Sequence, residues 1–485
     1  MPRAVLASGH PASHRSRGVR SIIRPAVGLA GLLANVVFPA ALLSQSTAVP
    51  AAPVVTQIGA NQAISGPAQR NRSETAIAID PDRPLHILAG SNSRLADGTF
   101  HEEVYASKDG GKTWAARLLP LAPGEQGHGD PSVVWTPNGT AWAAVIRGGT
   151  AGGHFSLPLV VFRSADGGLT WVRDGSPSGG QIADRPTLWV DRGPASPRRG
   201  TLYVVWQAGP VLFSRRDTTT GTWSAPVQVS GAESSLSAWG ADLKTDARGV
   251  LYIAWPDSGS RTIYWVRSPD GGRSFTRPAV LARTFGSFVQ GRSILANQVG
   301  APIYVTLAPH RGPAGVASLA AAWVDLAGGP GCQAVTDYPG QQADSACTTR
   351  VWFADSRDRG TTWSAPRKLN NAASKNDQFH QALVADPADG SLGLVYYDTV
   401  LDPERRRADV WFQRSVDGVT WTPAVRVTTA SSNESWNTPG ALVGYGDYLG
   451  MAADPGLFLP AWTDRRLGGR EQVWIAPLRA TPAAH

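Results

Sequence analysis

Cysteine is scarce in this sequence: two residues in 485, Cys332 and Cys347. With no further Cys or His clustered beside them, a zinc site is not expected there. Blocks of one charge are missing, as are basic stretches interleaved with aromatics. The formal net charge of +8 is inflated by Arg3, Arg15, Arg17, Arg20 and Arg24, since the first 48 residues hold no acid and the remainder carries only +3. That balance argues against nucleic acid as a partner. Amphipathic helical periodicity is also lacking, which excludes bundles and coiled coils. One long apolar run exists, Ala26–Leu43, behind the basic N-terminus and ahead of Ser46-Thr47-Ala48. This order is that of a secretory signal peptide over residues 1–48. The run approaches the length of a membrane anchor, but Asn35, Pro39 and the small exit residues favour removal. A secreted or cell-surface protein is expected, with no stable membrane insertion once the signal is gone.

What the chain has is a phrase repeated along its length. It reads S-K-D-G-G-K-T-W at Ser107–Trp114, S-A-D-G-G-L-T-W at Ser164–Trp171 and S-P-D-G-G-R-S-F at Ser268–Phe275. S-R-D-R-G-T-T-W follows at Ser356–Trp363, and a shorter S-V-D-G-V-T-W at Ser415–Trp421. A stretched copy lies between Ser214 and Trp223. Each copy has the chemistry of a hairpin turn. The Asp accepts backbone N–H groups just beyond it, Gly supplies positive φ, and Ser or Thr ties the return strand. The closing aromatic is suited to wedging against a neighbouring sheet.

Asp109, Asp166, Asp217, Asp270, Asp358 and Asp417 are separated by 57, 51, 53, 88 and 59 residues. A period near fifty accommodates four short strands, the blade of a β-propeller. β-branched and aromatic runs bounded by Gly, Pro and Asp give the strands. Inner strands are expected at Thr75–Asp80 and Pro186–Asp191. Second strands are expected at His86–Ser91, Ala141–Arg147, Leu202–Gln207, Leu251–Asp257, Leu319–Asp325, Leu392–Asp398 and Leu457–Asp464. The expected fold is thus all-β, a single closed propeller over residues 49–485 with seven four-stranded blades; six is the alternative, because the long fifth unit is hard to parse. The seventh unit lacks a fourth strand, which Val54–Gly59 can supply, closing the ring and removing its exposed edges. An insertion at about 328–349 holds both cysteines, expected to form one disulfide pinning a surface loop.

In such a blade the Asp turn lies opposite the face built from residues preceding the inner strands. Those positions are polar: Arg72 and Glu74, His128 and Asp130, Asp184 and Arg185, Trp239 and Asp242, Arg292, Asp377 and His380, and Tyr445, Asp447 and Tyr448. Asn92, Arg147, Asp257, Asp398 and Asp464 end second strands on the same face. Carboxylates, Arg and Tyr converging on one axial pocket could bind an anionic ligand and supply an acid and a nucleophile. The structural alternative is that they satisfy blade junctions and line a wet channel.

The repeated turns resemble the Asp-box, or bacterial neuraminidase repeat, of the sialidase-like propellers, over nearly the whole chain after the leader. The resemblance implies three arginines on a substrate carboxylate, a Tyr nucleophile paired with Glu, and an Asp acid. Here it implies Arg72, Arg185 and Arg292 as the clamp, Tyr448 with Glu74 as nucleophile and base, and Asp130 as acid. Asp184, Asp377, Tyr445 and Asp447 complete the substrate-binding set. The region comparable to the family's F-R-I-P-like stretch is Q-R-N-R-S-E-T-A at Gln69–Ala76, with Arg72 in the place of its Arg. An exported, monomeric glycoside hydrolase acting on an anionic glycan is expected, free-standing after Ala476–His485, without cofactor or catalytic metal; structural calcium in the channel is left open. The alternative is a non-catalytic propeller that binds glycan or protein at the cell surface, which the absence of the F-R-I-P-like stretch favours.

Overall fold

The computed structural model describes residues 55–66, 70–151, 154–287, 294–329, 332, 347–370, 375–435, 444–467 and 469–480. The leader, Arg292 and most of the cysteine-bearing insertion lie outside them. The described chain forms seven antiparallel sheets, each with the strand order of one propeller blade. The helical structure described is a single 3-10 turn at Pro313–Gly315. Among the described residues no helix is long and apolar enough to cross a membrane.

Blade 1 runs Asn71–Ile79, Ile87–Arg94, Phe100–Ser107 and Ala115–Leu118, from axis to rim. The inner strands of blades 2 to 7 are Glu125–Trp135, Asp184–Val190, Asp242–Thr245, Val305–Arg311, Gln378–Ala385 and Gly450–Asp454. Second strands are sandwiched between neighbours within the blade and between blades, so both faces are covered. Leu202–Gln207, Leu251–Asp257 and Leu392–Asp398 are buried at every position. This explains why they read as continuous apolar runs rather than alternating ones.

The ring closes through the N-terminal segment. Val55–Ile58 pairs with Leu478–Ala480, and Gln62–Ala63 pairs with Trp474 and Ile475. The closing strand therefore extends four residues beyond the expected Gly59, in two pieces. Pro477 separates the corresponding pieces of the third strand, because it has no N–H to offer a ladder; its carbonyl still accepts from Gly59 N at 2.8 Å.

The Asp turns form a conserved-geometry latch within this one chain. Thr113 N and Oγ1 donate to the Asp109 carboxylate at 2.9 and 2.6 Å, and Ser107 Oγ accepts from Gly111 N at 2.9 Å. The same bonds recur at Asp166, Asp270 and Asp358. Hydrogen bonds from Thr113 and Ser107 pull the Asp109 carboxyl down to about 2. Asp417, in the shorter copy, bonds Val419 N and Thr420 N instead.

Each closing aromatic turns back onto the preceding blade. Phe275 meets Phe213 edge-on at 5.2 Å, Trp363 meets Trp265 at 6.1 Å, and Trp421 meets Phe353 at 5.2 Å. The four closing tryptophans are mostly covered, to different depths. Trp171 is buried at 8% exposure, whereas Trp114, Trp363 and Trp421 are half-buried. Their rings bridge an interblade seam and an exposed turn, so one flank stays in water. Cys332 and Cys347 are bonded to each other, as expected. Both are buried against the apolar cluster that contains Leu326, and the loop they would pin lies outside the described residues.

Trp171→Ala should lower unfolding free energy by about 3–5 kcal/mol, the cost of deleting a buried aromatic. Trp363→Ala should cost less, because its ring is already partly exposed. Urea midpoints of the two variants check this order; equal midpoints would reject the wedge assignment for Trp171.

Candidate active site

The site is built from a backbone irregularity repeated in four blades. Where inner strands begin, pairing register shifts between Ser73/Ala76, Gly129/Ser132, Asp184/Thr187 and Phe379/Ala382. In each bulge one residue is left-handed: Glu74 (φ 57), Asp130 (φ 57), Arg185 (φ 49) and His380 (φ 49). A bulge re-aims the side chain it carries. Holding a residue with a Cβ in this region costs about 1–2 kcal/mol, and such strain concentrates at functional sites.

Three of these residues meet in one hydrogen-bonded arc across blades 1 to 3. Asn92 Nδ2 donates to Glu74 Oε2 at 2.7 Å, and Asn92 Oδ1 accepts from Asp130 N at 2.9 Å. Arg185 N donates to Asp130 Oδ2 and to Asp184 Oδ1, both at 3.0 Å. The carboxyls of Glu74 and Asp184 each also lie against that of Asp130. Contact between two carboxyls requires a proton between them. Burial, then the Asp130 charge, pushes Asp184 up to about 8 and Glu74 well above the usual carboxylate range. The arc therefore holds protons at neutral pH.

Arg185 occupies the middle of this mouth. Its guanidinium lies 3.6 Å from the Tyr448 ring centroid and 5.1 Å from that of Tyr304, a cation–π contact with each of two tilted neighbouring rings. Tyr304 Oη donates to Asp447 Oδ2 at 3.2 Å and accepts from Trp239 Nε1 at 3.0 Å. Arg185 Nε is buried without a hydrogen-bond partner, as is Tyr448 Oη. Burial, then the Glu74 charge, pushes the Tyr448 phenol well above its ordinary value. Arg185 and Tyr448 also wall one end of an axial cavity of about 650 Å³. Burial draws His380, the fourth bulge residue, down to about 3. Its Nε2 stands 3.0 Å from Asn297 Nδ2, the arrangement of a neutral ring accepting a hydrogen bond.

The expected residues thus divide. Glu74, Asp130, Asp184, Arg185, Asp447 and Tyr448 come together. Arg72 is buried and held by Glu103 at 2.9 Å, on the same carboxylate oxygen that accepts from Tyr105 Oη. Asp377 is gripped by Arg405, from Nε at 2.8 Å and Nη2 at 2.7 Å, and it also accepts from Thr349 N. Tyr445 is buried with its Oη on the Ser432 carbonyl and its ring 4.4 Å from Tyr397. A three-arginine clamp is therefore not assembled from the described residues, because Arg72 already has its carboxylate and Arg292 is not among them.

Several participants escaped the sequence reading as site residues. Asn92 links two bulges across blades, a contact invisible in sequence. Tyr304 immediately precedes the fifth inner strand, the rule that singled out Tyr448, and could have been found that way. Glu102 is fully buried behind the arc, and burial with the Asp130 charge pushes its carboxyl well above the usual range. Among the described residues, no group of three or more His, Cys, Asp or Glu has the arrangement of a metal site.

The raised Asp184 carboxyl fixes the sign of a pH dependence. Between about pH 4 and pH 8 the unfolded chain has lost this proton and the folded chain keeps it, so stability falls as pH rises. Glu74 and Glu102 act in the same direction. The urea midpoint should drop across that window, and Asp184→Asn should flatten the drop. A variant with the parental slope would contradict the proton-sharing arc. Asp377→Ala should cost about 3–5 kcal/mol, because it strands the Arg405 charge in the interior. Parental stability in that variant would show that the pair is not structural.

No family model matches the chain. A xyloglucanase from Paenibacillus sp. is 25% identical over 228 residues, covering 41% of this chain and 20% of that protein. The chain thus spans about a fifth of the length of the curated relative it matches. Among solved structures, a protein of unknown function from Dyadobacter fermentans is 14% identical, with a TM-score of 0.46, covering 88% of this chain and 99% of that one. An intramolecular trans-sialidase from Ruminococcus gnavus is 12% identical with a TM-score of 0.46, covering 69% of this chain and 92% of that one.

Proposed function

We propose that the chain is an exported glycoside hydrolase of the Asp-box, sialidase-like kind, acting on an anionic glycan at the mouth formed by Glu74, Asp130, Asp184, Arg185 and Tyr448. The observation that carries the reading is Arg185. Its guanidinium packs on Tyr448 with Tyr304 beside it, its Nε has no hydrogen-bond partner, and proton-bearing carboxyls surround it. A planar guanidinium with free in-plane donors suits a substrate carboxylate. The sequence match to a glycan-cleaving enzyme is in keeping with this class.

Glycoside cleavage needs a proton for the leaving oxygen and a nucleophile or base on the anomeric carbon. In the proposed sequence Asp130 donates its proton to the leaving oxygen as the glycosidic bond breaks. Tyr448 Oη attacks the anomeric carbon while its proton passes to Glu74, and water later releases the sugar. Glu74 can accept that proton only when the shared proton sits on Asp130 or Asp184. Burial and the Asp130 charge hold a proton on Glu74 in the free protein, and the Arg185 charge acts against them. Strained backbone at Glu74, Asp130 and Arg185 fixes the three groups before substrate arrives.

One observation favours a second reading, a glycan-binding propeller without turnover. Arg72 is already neutralised by Glu103, and Tyr448 Oη is not hydrogen-bonded to Glu74 in the free protein. Hydrolysis assays on sialosides, uronic-acid glycosides and xyloglucan separate the two. With the cleaved substrate, Glu74→Gln and Tyr448→Phe should each lose at least about 100-fold in kcat/KM. Parental activity in both variants would reject these roles. Tight binding of one glycan with no cleavage would establish the binding reading.

A further inference from the structure

The axial cavity has a second end. Its walls are the seven inner strands, each paired on one side only, with the second strand of its own blade. Seven strand edges therefore turn backbone N–H and C=O groups towards the axis without strand partners. Side chains of neighbouring blades meet a few of them: Ser132 Oγ takes Leu188 N, Asp242 Oδ2 takes Leu307 N, and Thr75 Oγ1 takes Gly450 N. The remainder are suited to hydroxyl groups, which both donate and accept.

Arg192 stands at this end, two residues beyond the inner strand Asp184–Val190 whose other end carries Arg185. At about 3.3 Å per residue the seven steps between the two arginines span at most about 23 Å. Arg192 lines the cavity, its Nε is buried without a hydrogen-bond partner, and its guanidinium lies 5.9 Å from the Trp189 ring. Asp80, which acts on it through space, is already committed to Arg83 and to Asp82 N. Asp82 and Asp454 also act on it only through space. Asp454 is itself raised by burial and by the Asp386 charge. Burial draws Arg192 down to about 10, so it stays charged at neutral pH. Arg248, Arg311 and Arg359 line the same mouth, none in an ion pair among the described residues. The Arg192 guanidinium opens on the cavity with no bonded anion, so its in-plane donors are available to a carboxylate.

We propose that this mouth is a second ligand site, opposite the acidic one, for a small polyhydroxylated carboxylate of one or two sugar units. The carboxylate lies on Arg192 through in-plane donors, and the hydroxyls bond the free strand edges. This mouth opens into the far end of the axial cavity, whose whole volume of about 650 Å³ leaves room for a small ligand there. A neutral sugar lacks the group that Arg192 needs, and inorganic phosphate lacks the hydroxyls that the edges need. The site stands whether or not the acidic mouth cleaves a glycan.

The test is calorimetric titration of D-glucuronate, D-glucose and inorganic phosphate into the full secreted protein, Arg192→Gln and Glu74→Gln. Glucuronate should bind the parent and Glu74→Gln alike, weaken at least about tenfold in Arg192→Gln, and outcompete glucose and phosphate. No glucuronate binding to the parent, equal binding to Arg192→Gln, loss confined to Glu74→Gln, or phosphate binding as tightly as glucuronate would each overturn the proposal. Should Arg192→Gln fail to fold, phenylglyoxal labelling of the parent followed by peptide mapping serves instead. Glucuronate, but not glucose, should protect Arg192 from modification, and labelling unaffected by glucuronate would overturn the site.

Discussion

Every blade of this ring must leave one strand edge unpaired at its axis, because neighbouring inner strands face each other around a channel instead of joining into a ladder. Backbone groups there cannot be satisfied by sheet pairing, so the axis stays polar and open whatever the blades do. Much else follows from that constraint. Side chains from adjacent blades, such as Ser132, Asp242 and Thr75, reach across to cap individual amides. A cavity persists along the axis instead of a packed core. The strand entrances, freed from a partner on one side, can bulge without breaking a second ladder.

That freedom is used most where Glu74, Asp130, Arg185 and His380 adopt left-handed backbone. About 1–2 kcal/mol of strain at each is small beside the burial of seven second strands, so the scaffold tolerates all four. In return, three carboxyls are held close enough to share protons, which solution carboxylates at neutral pH would not do. Arg185 would ordinarily neutralise such a cluster by direct ion pairing. Instead the guanidinium lies flat on Tyr448, and the acids are contacted through its backbone amide. The charge remains close enough to be felt, while the side-chain donor stays unspent.

The blade framework was legible because its signals are local. Leu202–Gln207, Leu251–Asp257, Leu392–Asp398 and Leu457–Asp464 stand where their apolar runs placed them. The Asp turns needed only eight adjacent residues to be understood. Inner strands were harder, since a bulge inserts one residue and breaks the alternation that marks a strand. The first thus begins at Asn71 rather than Thr75. Which polar residues would meet was beyond reach for a similar reason. Arg72 and Glu103 are 31 residues apart, and Asp377 and Arg405 are 28 apart. Nothing in either neighbourhood announces the pairing.

Asp377 and Asp184 show how the structure separates groups that look alike in sequence. Both precede inner strands, and both sit beside other polar residues. Asp377 is enclosed by Arg405, Thr349 and Thr399, with its charge balanced by a guanidinium and its oxygens met by donors. A buried ion pair completed in that way has little left to give a ligand, and removing either partner strands the other. Asp184 receives one backbone amide and a carboxyl neighbour, and it answers the deficit by keeping its proton up to about pH 8. An acid that remains protonated at neutral pH beside an arginine with a free donor is chemically unfinished. Such incompleteness, rather than polarity or burial alone, separates a group that can act on a ligand from one that holds the fold.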